Sequence, residues 1–302
     1  MKKTVEKINK LKKDKNAIIL AHSYQSIEID TVADYVGDSL YLSQKAKETN
    51  AEIIVFAGVY FMAQTAKIIS PEKKVLLPNK NAGCLMADMI NLKQIVNFKQ
   101  QHPNLPVVCY INSTAEVKSE CDICCTSSNA VEIVKSLQAP KVLFVPDANL
   151  GKYVESQVKE TEIITYNGCC PVHDKITEND ILNIRKSFPE AKILIHPECK
   201  PSVSILGDYI GSTSGIFNYV KNSSCSQFVI VTEKGVHDRL KRDYPEKEFI
   251  LISENMLCES MKLTTLEEIL YSLENEVNEI IINEEIRKQS SKCIERMLQV
   301  SM

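Results

Sequence analysis

Short apolar runs of four to six residues recur along the chain, each closed by a polar or aromatic residue and followed by a stretch of helical length. AIILAH ends at His22, VVCY at Tyr110 and KILIH at His196, so the closing residues stand 88 and then 86 residues apart. Hydroxyl clusters follow at the same intervals, with GDS at Ser39, CTSS at Ser127 and GSTS at Thr213. Next come EIIVFAG, KVLFVPD and QFVIVTE, and then KKVLLPN, TEIITYN and KEFILISEN. After each of these last runs stands a cysteine, Cys84, Cys170 and Cys258, spaced 86 and 88 residues apart. Landmarks repeated in one order three times indicate an internal repeat.

Continuous apolar strands alternating with amphipathic helical stretches such as SLYLSQKAKE and SGIFNYVKN predict parallel sheets covered on both faces. The expected fold class is therefore α/β, with three analogous small α/β domains, each built on a parallel sheet, around a pseudo-threefold axis. The expected boundaries are 16–103, 104–190 and 191–275, with terminal helical segments at 1–15 and 276–302. Within these, helices are expected at Val5–Asp14 and over Leu266–Leu298. Ligands of open α/β sheets sit outside the carboxyl ends of the strands. Every His, hydroxyl and Cys landmark lies there, so one shared central cavity is expected.

Composition adds limits. Among 302 residues, 36 Lys+Arg face 39 Asp+Glu, and a net charge of −3 argues against a generic nucleic-acid surface. No apolar run approaches a membrane span, and MKKTVEKINKLKKDK lacks the apolar segment of a signal peptide, so a soluble, cytoplasmic protein is expected. Eleven cysteines in a chain this long do not read as a secreted disulfide scaffold. Three at equivalent repeat positions suit a metal centre, and three thiolates fit a [4Fe–4S] cluster with one iron free of protein ligands better than they fit zinc. Such an iron can act as a Lewis acid. Cys121-Asp-Ile-Cys124 has no second C-x-x-C to complete a zinc site, either Cys169 or Cys170 can hold the repeat position, and Cys109, Cys225 and Cys293 read as core.

The blocks AHSYQ, EIDTVADYVGDSL, GVYFMAQTAKI, AGCLMAD, YINSTAEVK, CTSSNAVEIV, FVPDANLGKYV, NGCCPVH, HPEC, GSTS and CESMK run in order through nearly the whole chain. In them the sequence resembles the quinolinate synthase family. The resemblance implies condensation of iminoaspartate with dihydroxyacetone phosphate to quinolinate, with release of phosphate and water, on the route to NAD. It also implies a [4Fe–4S] cluster on Cys84, Cys170 and Cys258, and it selects Cys170 because the ligand directly precedes PVH. A transient partner supplying iminoaspartate is expected. Tyr60 and Gln64 stand where the family usually has acidic residues.

Glu198 is the expected general base, and His22, Tyr24 and His196 complete the acid–base set. Tyr110 and Asn112 would orient the intermediate, while Ser39, Ser127, Ser212 and Thr213 would bind carboxylate or phosphate at helix starts, or simply cap those helices. His173 would buttress a cysteine loop. Another cluster-dependent hydro-lyase and a non-enzymatic redox sensor are the competing readings.

Overall fold

The computed structural model describes residues 1–301 and contains three four-stranded sheets, all parallel and all with one strand order. The first places β2 (Tyr35–Gly37), β1 (Ala17–His22), β3 (Ile53–Ala57) and β4 (Lys74–Leu76) side by side. The second repeats this with β6 (Ile123–Cys125), β5 (Val107–Tyr110), β7 (Lys141–Val145) and β8 (Glu162–Thr165). The third uses β10 (Tyr209–Ile210), β9 (Lys192–Ile195), β11 (Gln227–Val231) and β12 (Glu248–Leu251). The inner strands are almost wholly buried, as expected for sheets covered on both faces.

The apolar pattern reveals three strands per unit, and the structure adds a fourth at one edge. β2, β6 and β10 are only two or three residues long, too short to show a period. One aspartate fixes each of them. Asp34, Asp122 and Asp208 accept from the backbone N–H of Ile19 (2.7 Å), Val107 (2.7 Å) and Ile193 (2.9 Å). The aspartates' own N–H groups return to the carbonyls of the same three residues, closing a two-bond clamp in each unit.

The N-terminal helix runs Lys2–Asp14, and the expected C-terminal helical segment is two helices, Leu266–Asn275 and Glu284–Val300. They are separated at Glu276 and Asn278, whose φ values of 52° and 60° are incompatible with a continuing right-handed helix. Leu266, Ile269 and Leu273 join Ile8, Ala17 and Ile19 in the core of the first sheet. Cys293, Ile294 and Met297 close the large core shared by the first two units. No described helix is long and apolar enough to cross a membrane.

Candidate active site

The three sheets turn their strand ends toward one cavity. Its wall includes His22, Tyr24 and Ser39 from the first unit, Tyr110, Asn112 and Ser127 from the second, and His196, Glu198 and Thr213 from the third. Cys84, Cys170 and Cys258 open into the same space. Of the residues expected from sequence to catalyse, bind substrate or hold a metal, Ser212 alone is absent from the wall. Its Oγ accepts from Gly215 N at 3.1 Å and caps the helix Thr213–Asn222.

The three cysteine loops are anchored identically. The first amide of the helix after each unit's third strand donates to the carbonyl two residues before the cysteine: Tyr60 N to Ala82 O (2.8 Å), Ala148 N to Gly168 O (2.7 Å) and Lys234 N to Met256 O (2.7 Å). Backbone N–H groups two or three residues further on then point at each sulfur, from Met86 and Ala87 to Cys84, from Val172 and His173 to Cys170, and from Met261 to Cys258. Cys169 does not face the cavity.

Burial pushes the Cys84 thiol up to about 12 and raises those of Cys170 and Cys258 as well. Uncompensated thiols held by N–H donors around one space fit a bound metal centre, whose positive charge would displace their protons. All eleven cysteines are free. Cys109, Cys124, Cys125 and Cys293 are buried, with Cys124 Sγ 3.0 Å from Cys293 Sγ, while Cys225 is half-buried. Cys199 is buried behind Glu198 and does not line the cavity.

Beside the cysteines lies a hydrogen-bonded network that joins all three units. Tyr110 donates to Glu198 Oε1 at 2.7 Å, and His173 Nδ1 stands 2.9 Å from Glu198 Oε2 and 3.2 Å from Cys170 Sγ. His173 Nε2 meets Thr232 Oγ1 at 3.0 Å, Thr232 meets the Tyr24 phenol at 3.1 Å, and Thr213 donates to that phenol at 3.4 Å. One assignment consistent with these distances runs from Thr213 to Tyr24, from Tyr24 to Thr232, from Thr232 to His173 Nε2, and from His173 Nδ1–H to Glu198, with Cys170 Sγ a second neighbour of Nδ1. Cys170, His173 and Glu198 have ligand atoms within 4.8 Å of one another, close enough for a single ion. The His173–Glu198 hydrogen bond already uses two of them.

Burial alone would raise the Glu198 carboxyl, but His196, His173 and the Tyr110 hydrogen bond outweigh it and hold the group well below the usual carboxylate range. Burial raises both phenols, Tyr24 and Tyr110, which therefore stay protonated. It lowers His22 to about 4 and His196 to about 3. Both rings are oriented alike, since His22 Nδ1 accepts from Tyr24 N at 3.2 Å and His196 Nδ1 from Glu198 N at 3.3 Å. A neutral ring accepting at Nδ1 carries its proton on Nε2.

A hydroxyl layer completes the wall. Ser39 and Thr213 are the first residues of their helices, and Asp38, not Ser39, caps the helix Ser39–Glu48. Ser127 precedes the helix Ala130–Ser136 without capping it. Asp38 Oδ2 accepts from Ser128 (2.7 Å) and Ser214 (2.5 Å), tying the three units together above the cavity. Asp38, Thr232 and Glu233 are site-forming residues that the sequence reading passed over. The available signal was position: each stands beside a repeated landmark, Asp38 before Ser39 and Thr232-Glu233 at the end of QFVIVTE. Gln64 is buried and accepts from Ala115 N at 3.1 Å. Tyr60 is exposed.

The chain matches the family model described as quinolinate synthetase A protein over residues 6–299. It is 52% identical to the quinolinate synthase of Alkaliphilus metalliredigens, with 98% of each chain covered. It is 50% identical to that of Dehalococcoides mccartyi, covering 98% of this chain and 97% of the relative, and 46% identical to that of Clostridioides difficile, covering 96% and 95%. On the repeat, the cavity and these matches together, the chain belongs to the quinolinate synthase family, enzymes of NAD biosynthesis.

Proposed function

We propose that the chain condenses iminoaspartate with dihydroxyacetone phosphate to quinolinate, releasing phosphate and water, with a [4Fe–4S] cluster held by Cys84, Cys170 and Cys258. The observation that carries this reading is the threefold repetition of the cysteine anchor around a cavity shared with Glu198. When bound, the cluster supplies Lewis acidity at the iron that has no protein ligand. The units 16–103, 104–190 and 191–275 each carry one sheet and contribute one thiol.

No lysine or arginine is found in the described wall of the cavity. The substrate carboxylates and phosphate are therefore bound by hydroxyls of Ser39, Ser127 and Thr213, by helix-start amides and by the Nε2–H groups of His22 and His196. Both imidazoles serve as neutral donors that polarise substrate oxygens. Glu198 Oε2 takes protons as the ionised base, and the Tyr24 phenol gives one, with Thr232 and His173 connecting the two. Tyr110 orients Glu198, and Asn112, whose Oδ1 is buried without a partner, supplies an acceptor to the intermediate. Ser212 holds Thr213 in place through its cap. Iminoaspartate hydrolyses readily, so a transient partner delivers it. The reaction takes place in the cytoplasm.

Incubating the anaerobically reconstituted protein with both substrates tests the assignment. Quinolinate and phosphate should appear in equal amounts. Dehydration of a single substrate would point to a hydro-lyase, and a spectral change without product to a redox sensor; either result overturns the proposal.

A further inference from the structure

The loop after β1 carries Tyr24 into the cavity, yet it is held chiefly by the third unit. Three successive carbonyls of this loop are taken by two cations. Arg239 donates to Ser23 O and Gln25 O, each at 2.7 Å, and Lys262 donates to Tyr24 O between them. Arg239 also bonds Asp30 at 2.5 Å. Gly235 lets the backbones meet, because a Cβ there would lie 2.7 Å from Ser23 O and 2.9 Å from the Tyr24 Cα. Gln25 Nε2 adds a contact with Met261 Sδ at 3.4 Å.

Lys262 has a second partner. Its Nζ lies 2.9 Å from Glu233 Oε1, and the Glu233 side chain is fully buried. The same Oε1 accepts the backbone N–H of Cys258 at 3.2 Å, while Oε2 accepts from Gly235 at 2.6 Å. The ammonium that holds Tyr24 thus pairs with the carboxylate that holds Cys258.

We propose that Glu233 and Lys262 are positioning residues forming one clamp, which sets the Tyr24 loop and the Cys258 loop together. Neither touches the reacting atoms in this role. The clamp couples a phenol of the first unit to a thiol of the third, so the two sides of the cavity keep one register. It rests on the reading of Cys258 as a ligand only for its catalytic consequence; the mechanical coupling is independent of any bound group. A buried carboxylate is suited to the task because it holds its geometry only while a cation neutralises it.

Hydrogen–deuterium exchange on the full-length chain, wild type against Lys262→Met, reads the coupling directly. Exchange should rise about tenfold in both residues 23–26 and residues 258–262, while residues 84–88 and 110–114 keep their rates. A rise confined to residues 258–262, or none in either segment, overturns the proposal. If Lys262→Met fails to fold, the double variant Glu233→Gln/Lys262→Met leaves no unpaired buried charge, and the same paired rise is expected. In the anaerobically loaded enzyme, Lys262→Met should lower kcat about tenfold at unchanged iron content. An unchanged kcat at full iron content would also overturn the proposal. A wild-type protein that makes no quinolinate would sink the proposed reaction and leave the exchange result standing.

Discussion

Tyr110 and Glu198 meet across two units, the phenol donating to Oε1 at 2.7 Å from the opposite side of the carboxylate to His173. The contact fixes the carboxylate in place, while His196 and His173 do most to hold it low. Glu198→Gln removes the base while keeping most of its volume, and kcat should fall by about 10²–10⁴. Tyr110→Phe removes only the orienting bond and should cost about tenfold. Steady-state rates at matched iron content, with melting temperatures near wild type, check both.

The two buried histidines set a pH signature. With folded values of about 4 for His22 and about 3 for His196, against 6.5 when exposed, both rings are neutral above pH 5. The unfolded chain takes up protons first as pH falls through 6.5, so the folded state loses stability from pH 6.5 down to about 3, with both residues contributing above about 4 and His196 alone below it, and then levels off. Above pH 6.5 these residues add no slope. Urea midpoints at pH 7, 6 and 5 should fall in wild type and fall less in His22→Asn.

Asp122 offers a test remote from the chemistry. It precedes β6 at the end away from the cavity and accepts from Val107 N at 2.7 Å. Asp122→Ala should cost about 1–3 kcal/mol of stability by stranding that N–H. Iron content and KM should remain at wild-type values. Denaturant unfolding alongside an activity assay separates the two effects.

The repeat was legible because its landmarks are local. Strand ends such as His22, Tyr110 and His196 and the cysteines recur in the chain itself, and these brought the cavity wall together. Long-range partners were not legible. Asp38, which joins Ser128 and Ser214, and Glu233, which joins Cys258 and Lys262, act between segments that nothing in sequence places side by side. The edge strands β2, β6 and β10 escaped because their two or three residues carry no apolar run of their own. The break between the last two helices escaped because Glu276 and Asn278 adopt positive φ without a glycine to signal it. Ser39 and Ser212 show that a hydroxyl at a helix start does not by itself separate a cap from a ligand-facing group. Only the fold assigns the first to the cavity and the second to the helix.

The central claim is that one cysteine from each unit holds a cluster. Anaerobic iron and acid-labile sulfide analysis tests it most directly, on wild type and on Cys84→Ser, Cys170→Ser, Cys258→Ser and Cys169→Ser. Wild type and Cys169→Ser should each carry about four irons and four sulfides per chain, and the other three variants should lose them. Full loading in any of those three, or loss of the cluster in Cys169→Ser with retention in Cys170→Ser, would contradict the account.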